Sequence, residues 1–290
     1  MRLIAAMTVA LALTGMTAAC APNTQNTRAS IAQEQQASRQ LVADLTSKDQ
    51  LITDRALNAY VNGVVDRIEA VRPPGSVPIR AYIVKDASIN AFTTGGGYIF
   101  VNAGLLAAME NEAQWASVAA HEMAHIDRGH IQAGRANRQA VGVLGAIVGI
   151  GAAAAGLGGG LTNLAIGLGQ NAAASSYSRT QETDADTTGF QYAAAAGYNM
   201  LAAAESFEVL ARVYGSSGGL GAAFFASHPQ SPERKALLTN LARQTGATSG
   251  RIGKQSHDRA TRQIRRQVLE FLESEGRDAE AAQIRRNLRG

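Results

Sequence analysis

The five residues His121-Glu122-Met123-Ala124-His125 restrict this chain more than any other feature. Two histidines four apart can serve one metal ion only on a helix, which sets them about 40° apart and one turn along. The glutamate between them, about 100° round from the first histidine, can stand beside the ion without binding it. A carboxylate placed there can take a proton from an activated water. Apolar Val118, Ala119 and Ala120 precede the five, and Asn111 with Gln114 forms a capping pattern upstream. The pattern predicts a helix that continues past Gly129 toward Arg138.

His130 follows on the same predicted helix, about 180° from His121. It comes nine positions after His121 rather than the ten of a metzincin, and no Met-turn pattern follows, so it reads as a structural or surface histidine. A third metal ligand must lie further along. Glu182 and Asp186 are spaced i and i+4 on another predicted helix, roughly Ser176 to Ala196. Glu182 can complete a His-His-Glu set, and Asp186 is placed to accept a hydrogen bond from the other nitrogen of a ligand imidazole. Taken alone, such an acidic face is more often simply solvated.

The rest of the chain sets the frame. With 46% hydrophobic and 17% charged residues it can bury a core, while 5% aromatics and 30 glycines favour small-residue helix packing over a sheet sandwich. Asp54 is a plausible cap for a helix to about Ala70, striped with Leu57, Val61, Val64, Val65 and Ile68. Strands are expected at Val77–Val84 and, after Gly95-Gly96-Gly97, at Tyr98–Val101. Further helices are expected over Met200–Tyr214 and Glu233–Arg243, followed by two amphipathic helices broken at Gly276. From Arg251 onward ten Arg/Lys face six Asp/Glu, a surplus equal to the +4 of the whole chain. The remainder is near neutral, which argues against a nucleic-acid partner.

The first residues form an address. Arg2, the apolar run Leu3–Leu13 and Thr17-Ala18-Ala19 lead to Cys20, the single cysteine of the chain. One cysteine excludes a disulfide framework. Residues 1–19 resemble a bacterial lipoprotein signal, which implies lipidation of Cys20 and a membrane anchor without a spanning helix. Ala21 is similar to an outer-membrane sorting residue. Residues 20–48, polar and Ala-rich, read as a tether that can hold a helix from Ser30 onward.

Asn90-Ala91-Phe92, Gly96 to Val101, Gly104-Leu105-Leu106, His121 to His125, Glu182 to Asp186 and His228-Pro229 occur in one order that resembles the HtpX/BepA-like zinc metallopeptidases, within the wider Ste-endopeptidase and Oma-type family. The resemblance covers about Asp49 to Arg243. It implies a gluzincin-like α+β fold, mainly helical with a small sheet. It also implies one zinc ion held by His121, His125 and Glu182, with Glu122 as catalytic base and Asp186 in support. Gly97, Tyr98, Ile99 and Phe100 would form the strand that pairs with an extended peptide. His228 would stand near the zinc as an oxyanion donor or a resting ligand; without the resemblance it reads as a loop histidine. Residues 49–245 would be the peptidase domain and 246–290 a basic helical appendage.

Between Gln139 and Arg179 there is no charged residue, and Val141–Leu168 is almost wholly apolar. One membrane crossing would separate His121 and His125 from Glu182, and two need roughly 40 apolar residues. A helical hairpin, either a mobile lid or a static packed element, is expected instead. Together these readings point to a periplasmic, lipid-anchored zinc endopeptidase of the outer membrane, acting on unfolded or misassembled envelope proteins. The alternative is an envelope chaperone or assembly lipoprotein with a structural zinc.

Overall fold

The computed structural model describes residues 24–134, 177–214, 228 and 232–289. The expected signal, Cys20 and the Gly/Ala-rich hairpin lie outside the described residues. The architecture is α+β and mainly helical, with a three-stranded mixed sheet. The elements are α1 (Thr24–Ser47), α2 (Arg55–Glu69), β1 (Arg80–Val84), β2 (Ala91–Gly95), β3 (Tyr98–Asn102), α3 (Ala103–Ala108) and α4 (Glu112–Asp127). They continue with α5 (Arg179–Ala195), α6 (Met200–Ala204), α7 (Ser206–Tyr214), α8 (Pro232–Thr245), α9 (Lys254–Ser274) and α10 (Asp278–Arg289).

The side chain of Asp54 accepts from Leu57 N at 2.7 Å and starts α2, whose predicted stripe is buried against the sheet and α4. The helix stops at Ala70, ahead of Pro73 and Pro74. β2 and β3 form a hairpin whose turn residues Gly95, Gly96 and Gly97 all have positive φ. A Cβ on Gly97 would lie 2.0 Å from the Pro78 carbonyl oxygen, so only glycine fits that close approach.

The sheet order is β1-β3-β2, with β1 parallel and β2 antiparallel to β3. The strand expected to receive substrate, Gly97 to Phe100, is therefore central, and both of its hydrogen-bonding edges are taken by neighbours. The edge strand that packs against α4 is β2. Which strand is central depends on pairings between distant residues, and local sequence does not encode these.

Ile99 and Val101 face the main core with α2, α4 and the later helices, whereas Phe100 and Val84 face Leu41 and Leu45 of α1. The helix allowed from Ser30 within the tether thus begins at Thr24, and it packs on the outer face of the sheet instead of standing free. Burial of the two leucines contributes roughly 2 kcal/mol each. Ser38 of α1 bonds Thr94 at 2.6 Å, and buried Glu34 accepts from Gly96 N at 3.1 Å and Gln132 Nε2 at 3.0 Å.

At the other end, α9 and α10 close the core against α3. Arg265, 1% exposed, donates to the carbonyls of Ala107 and Met109, which are free because α3 ends there. Glu112, the first residue of α4 and fully buried, accepts from Arg67 at 2.6 Å, Ser256 at 2.8 Å and Tyr198 at 3.0 Å, and also from Arg251. The strand Arg80–Val84 is shorter than expected, and the expected helix Met200–Tyr214 breaks at Glu205. Among the described residues no helix is long and apolar enough to cross a membrane.

Candidate active site

The side chain of Asn111 caps α4 by accepting from Gln114 N at 3.1 Å, as the capping pattern predicts. The helix carries His121, Glu122 and His125 into the interior, where they are 8%, 0% and 0% exposed. It ends at Asp127 rather than running on. Gly129, with φ 69°, reverses the chain, and a new helical turn begins at His130.

α5 opens with the side chain of Ser178 bonded to Gln181 N and that of Gln181 to Ser178 N. It lies along α4 and delivers Glu182, Asp184 and Asp186. The two helices meet at Gly189, where a Cβ would stand 2.9 Å from His121 N and 3.0 Å from Ala120 C and O. A side chain there would push α5, and with it Glu182, away from the histidines.

His121 Nε2 and His125 Nε2 are 2.9 Å apart, and Glu182 Oε1 is 3.3 Å from His125 Nε2. His228 Nδ1 joins them, 3.2 Å from His121 Nε2 and 3.0 Å from Glu182 Oε1. Ligand atoms of the four buried residues lie within 4.8 Å of one another. Two imidazoles and a carboxylate are a donor set that suits zinc. Glu122 adds a second indication: it is fully buried, yet neither carboxylate oxygen makes a hydrogen bond among the described residues, although His228 Nε2 stands 3.3 Å from Oε1. Such a group calls for a polar species beside the donors.

Behind the donors stand paired supports. His121 Nδ1 is 3.0 Å from Asp186 Oδ1, and Arg234 grips Asp186 through two bonds of 2.7 Å while reaching Glu182 Oε2 at 2.6 Å. His125 Nδ1 is 2.9 Å from Nδ1 of His130, which is buried and whose Nε2 is 3.2 Å from Asp184; Asp184 accepts from Arg128 at 2.7 Å. The Tyr177 ring stacks on His125 at 3.7 Å.

The electrostatics follow the burial. Burial pushes the Glu122 carboxyl up, against the opposing pull of His228 and His121. Burial also acts on Glu182, but His228, His125 and His121 outweigh it and hold that carboxyl well below its usual range. His125 is driven well down by burial and then by His121. His121 moves up, because Asp186 and Glu182 outweigh its burial. The site thus favours an ionised Glu182 and a neutral His125, the forms that bind a metal.

The predicted residues His121, Glu122, His125, Glu182, Asp186 and His228 come together in one place. Gly97 to Phe100 occupy the central strand instead. Sequence reasoning missed the contact of His130 with His125, the stacking of Tyr177 and the close approach at Gly189. In the sequence Arg234 reads as an anchor for the loop that begins at His228; the structure pairs it with Glu182 and Asp186.

The beta-barrel assembly-enhancing protease of Escherichia coli K12 is 29% identical over 176 residues, 59% of this chain and 36% of that protein. Metalloprotease LoiP of the same organism is 32% identical over 160 residues, 54% of this chain and 60% of its own length. The mitochondrial metalloendopeptidase OMA1 of Schizosaccharomyces pombe is 32% identical over 175 residues, 60% of this chain and 50% of its length. The chain thus spans between about a third and three fifths of the relatives it matches. The model of peptidase family M48 matches residues 52–242, which include every donor and support described above. The chain belongs to peptidase family M48.

Proposed function

We propose that this chain is a zinc-dependent metalloendopeptidase of the bacterial envelope that acts on unfolded or misassembled envelope proteins. The observation that carries the reading is a fully buried carboxylate, Glu122, which makes no hydrogen bond among the described residues and has only imidazoles and Glu182 around it as charged neighbours besides Arg234. A purely structural metal site has no use for such a group.

His121, His125 and Glu182 would hold the ion, which when bound polarises a carbonyl and acidifies water as a Lewis acid. Glu122 takes the proton of the attacking water and passes it to the leaving amine. The raised affinity for protons that burial gives it suits a group that must first accept and then release one. Asp186 orients His121, and Arg234 holds both Asp186 and Glu182 in place. We take His228 as the fourth donor of a resting site; its Nε2, 3.3 Å from Glu122 Oε1, is also where a donor to the oxyanion would stand. An extended peptide would pair with edge strand β2, whose main-chain groups are indifferent to most side chains, which suits unfolded substrates. The lipoprotein-like signal and the names of the bacterial relatives support a periplasmic, Cys20-anchored protein at the outer membrane.

The test is cleavage of β-casein by the zinc-loaded protein lacking residues 1–22, beside Glu122→Gln. The wild type should cleave, and the variant should keep its zinc while losing activity by about 10²- to 10⁴-fold. Zinc bound by both with cleavage by neither would overturn the peptidase reading in favour of an envelope chaperone with a structural metal.

A further inference from the structure

The two imidazoles that face Glu182 are supported differently. His121 leans directly on a carboxylate, Asp186, whereas His125 reaches one only through a second histidine. On an unbroken helix His130 would stand about 140° round from His125, out of reach. The left-handed turn at Gly129 folds the chain back so that the two Nδ1 atoms lie 2.9 Å apart.

That contact has one consistent proton arrangement when His125 binds a metal. Its Nε2 then offers a lone pair to the ion, so its proton sits on Nδ1 and is donated to His130 Nδ1. His130 must in turn carry its proton on Nε2, and that nitrogen faces the Asp184 carboxylate at 3.2 Å. Arg128 donates to the same carboxylate oxygen at 2.7 Å and fixes it. Every donor in the chain meets an acceptor, and the direction runs outward from the metal position to Asp184.

We propose that His130, with Asp184 behind it, is a positioning residue for the metal: it fixes the tautomer and ring orientation of His125 and so strengthens zinc binding. The proposal rests on the metal-site reading above. Its substance is a directional relay, Nδ1–H of His125 to His130 and Nε2–H of His130 to Asp184, set up by the glycine turn between the two histidines.

The experiment measures zinc affinity by competition with a chromophoric chelator, in the wild type and three variants. His130→Phe keeps a planar ring but removes the acceptor. His130→Asn places an amide oxygen near the position of Nδ1 without reaching Asp184. Asp184→Asn leaves the histidine and removes the charge behind it. His130→Phe should weaken zinc binding roughly 10- to 100-fold. His130→Asn should recover most of that loss, and Asp184→Asn should show a smaller loss of the same sign. Combining His130→Phe with Asp184→Asn should add little to His130→Phe alone, because both cut one chain.

A merely structural His130 would lower the melting temperature of the metal-free protein while leaving zinc affinity unchanged, and that result overturns the proposal. Nitrogen-15 NMR of the zinc-loaded wild type needs no variant to fold: it should report His130 as the Nε2–H tautomer, and an Nδ1–H His130 overturns the relay. If the wild type binds no zinc, the metal-site reading itself fails and the relay with it. Wild-type binding that is unchanged in His130→Phe removes the relay alone.

Discussion

His257 lies far from the metal donors and offers a clean test of how the fold responds to pH. It is fully buried where α9 crosses the end of α3. Its Nε2 faces the carbonyls of Leu106 at 3.2 Å and Met109 at 3.1 Å, and its Nδ1 is 2.9 Å from the Tyr60 hydroxyl. Two carbonyl acceptors at one nitrogen place the proton there, so Tyr60 donates to Nδ1, and a second proton would have to displace that bond. Burial, followed by the charge of Arg265, lowers the pKa from 6.5 to about 3 despite the opposing charge of Asp258. Between those two values the unfolded chain binds a proton that the native protein refuses. Stability therefore rises with pH across the window and falls as pH drops through it, by about 1.4 kcal/mol per unit. Taking the protein from about pH 7 to about pH 5 should remove about 2 kcal/mol through this residue alone. His257→Gln keeps a donor for the carbonyls and cannot titrate. Urea unfolding of both proteins at both pH values cancels every other titrating group. The wild type should lose about 2 kcal/mol more than the variant on acidification. Equal losses would refute the assignment of a neutral, buried His257.

Gly189→Ala should separate α5 from α4 and cost about 1–3 kcal/mol in urea unfolding, with weaker zinc binding because Glu182 moves with the helix; unchanged zinc affinity would show that the close approach does not set the ligand geometry. Arg234→Met leaves Asp186 and Glu182 buried without their cation and should cost about 3–5 kcal/mol in the metal-free protein. Zinc should recover part of that, since it replaces positive charge beside Glu182, and equal losses with and without zinc would count against the pairing. Leu41→Ala should cost about 2–4 kcal/mol if α1 is an integral layer on the sheet, and a loss near zero by the same assay would mean the helix is dispensable.

The parts of this molecule that local pattern can encode were legible. The stripe of α2 follows the helical period, its cap is Asp54, and the ligand spacing on α4 needs a helix to have meaning. The hidden parts depend on single backbone turns or on distant pairing. Gly129 reads as tolerable within a helix, yet its left-handed conformation ends α4 and places His130 beside His125. The centrality of β3 comes from its parallel pairing with β1, which skips the intervening strand β2. The outer helix α1 reads as a tether because polar residues dominate it, while Leu41 and Leu45, with Val42 beside them, carry its contact with Phe100 and Val84. Gly189 gave no signal of its own, since a lone glycine in a helix does not name the backbone that approaches it.

The donors around Glu112 come from widely separated parts of the chain and set the order in which its helix can settle during synthesis. That carboxylate starts the very helix that bears His121 and His125, and it is fully buried. Of its partners, Arg67 emerges first, Tyr198 later, and Arg251 and Ser256 last. Until those last residues arrive, the helix start carries a negative charge that cannot be buried at low cost. His121 and His125 are thus made well over a hundred residues before the last of the groups that settle the helix presenting them. The helix that carries His121 and His125 is secured only after segments on both sides of it have been made, so its two histidines are held in place by residues distant in the chain.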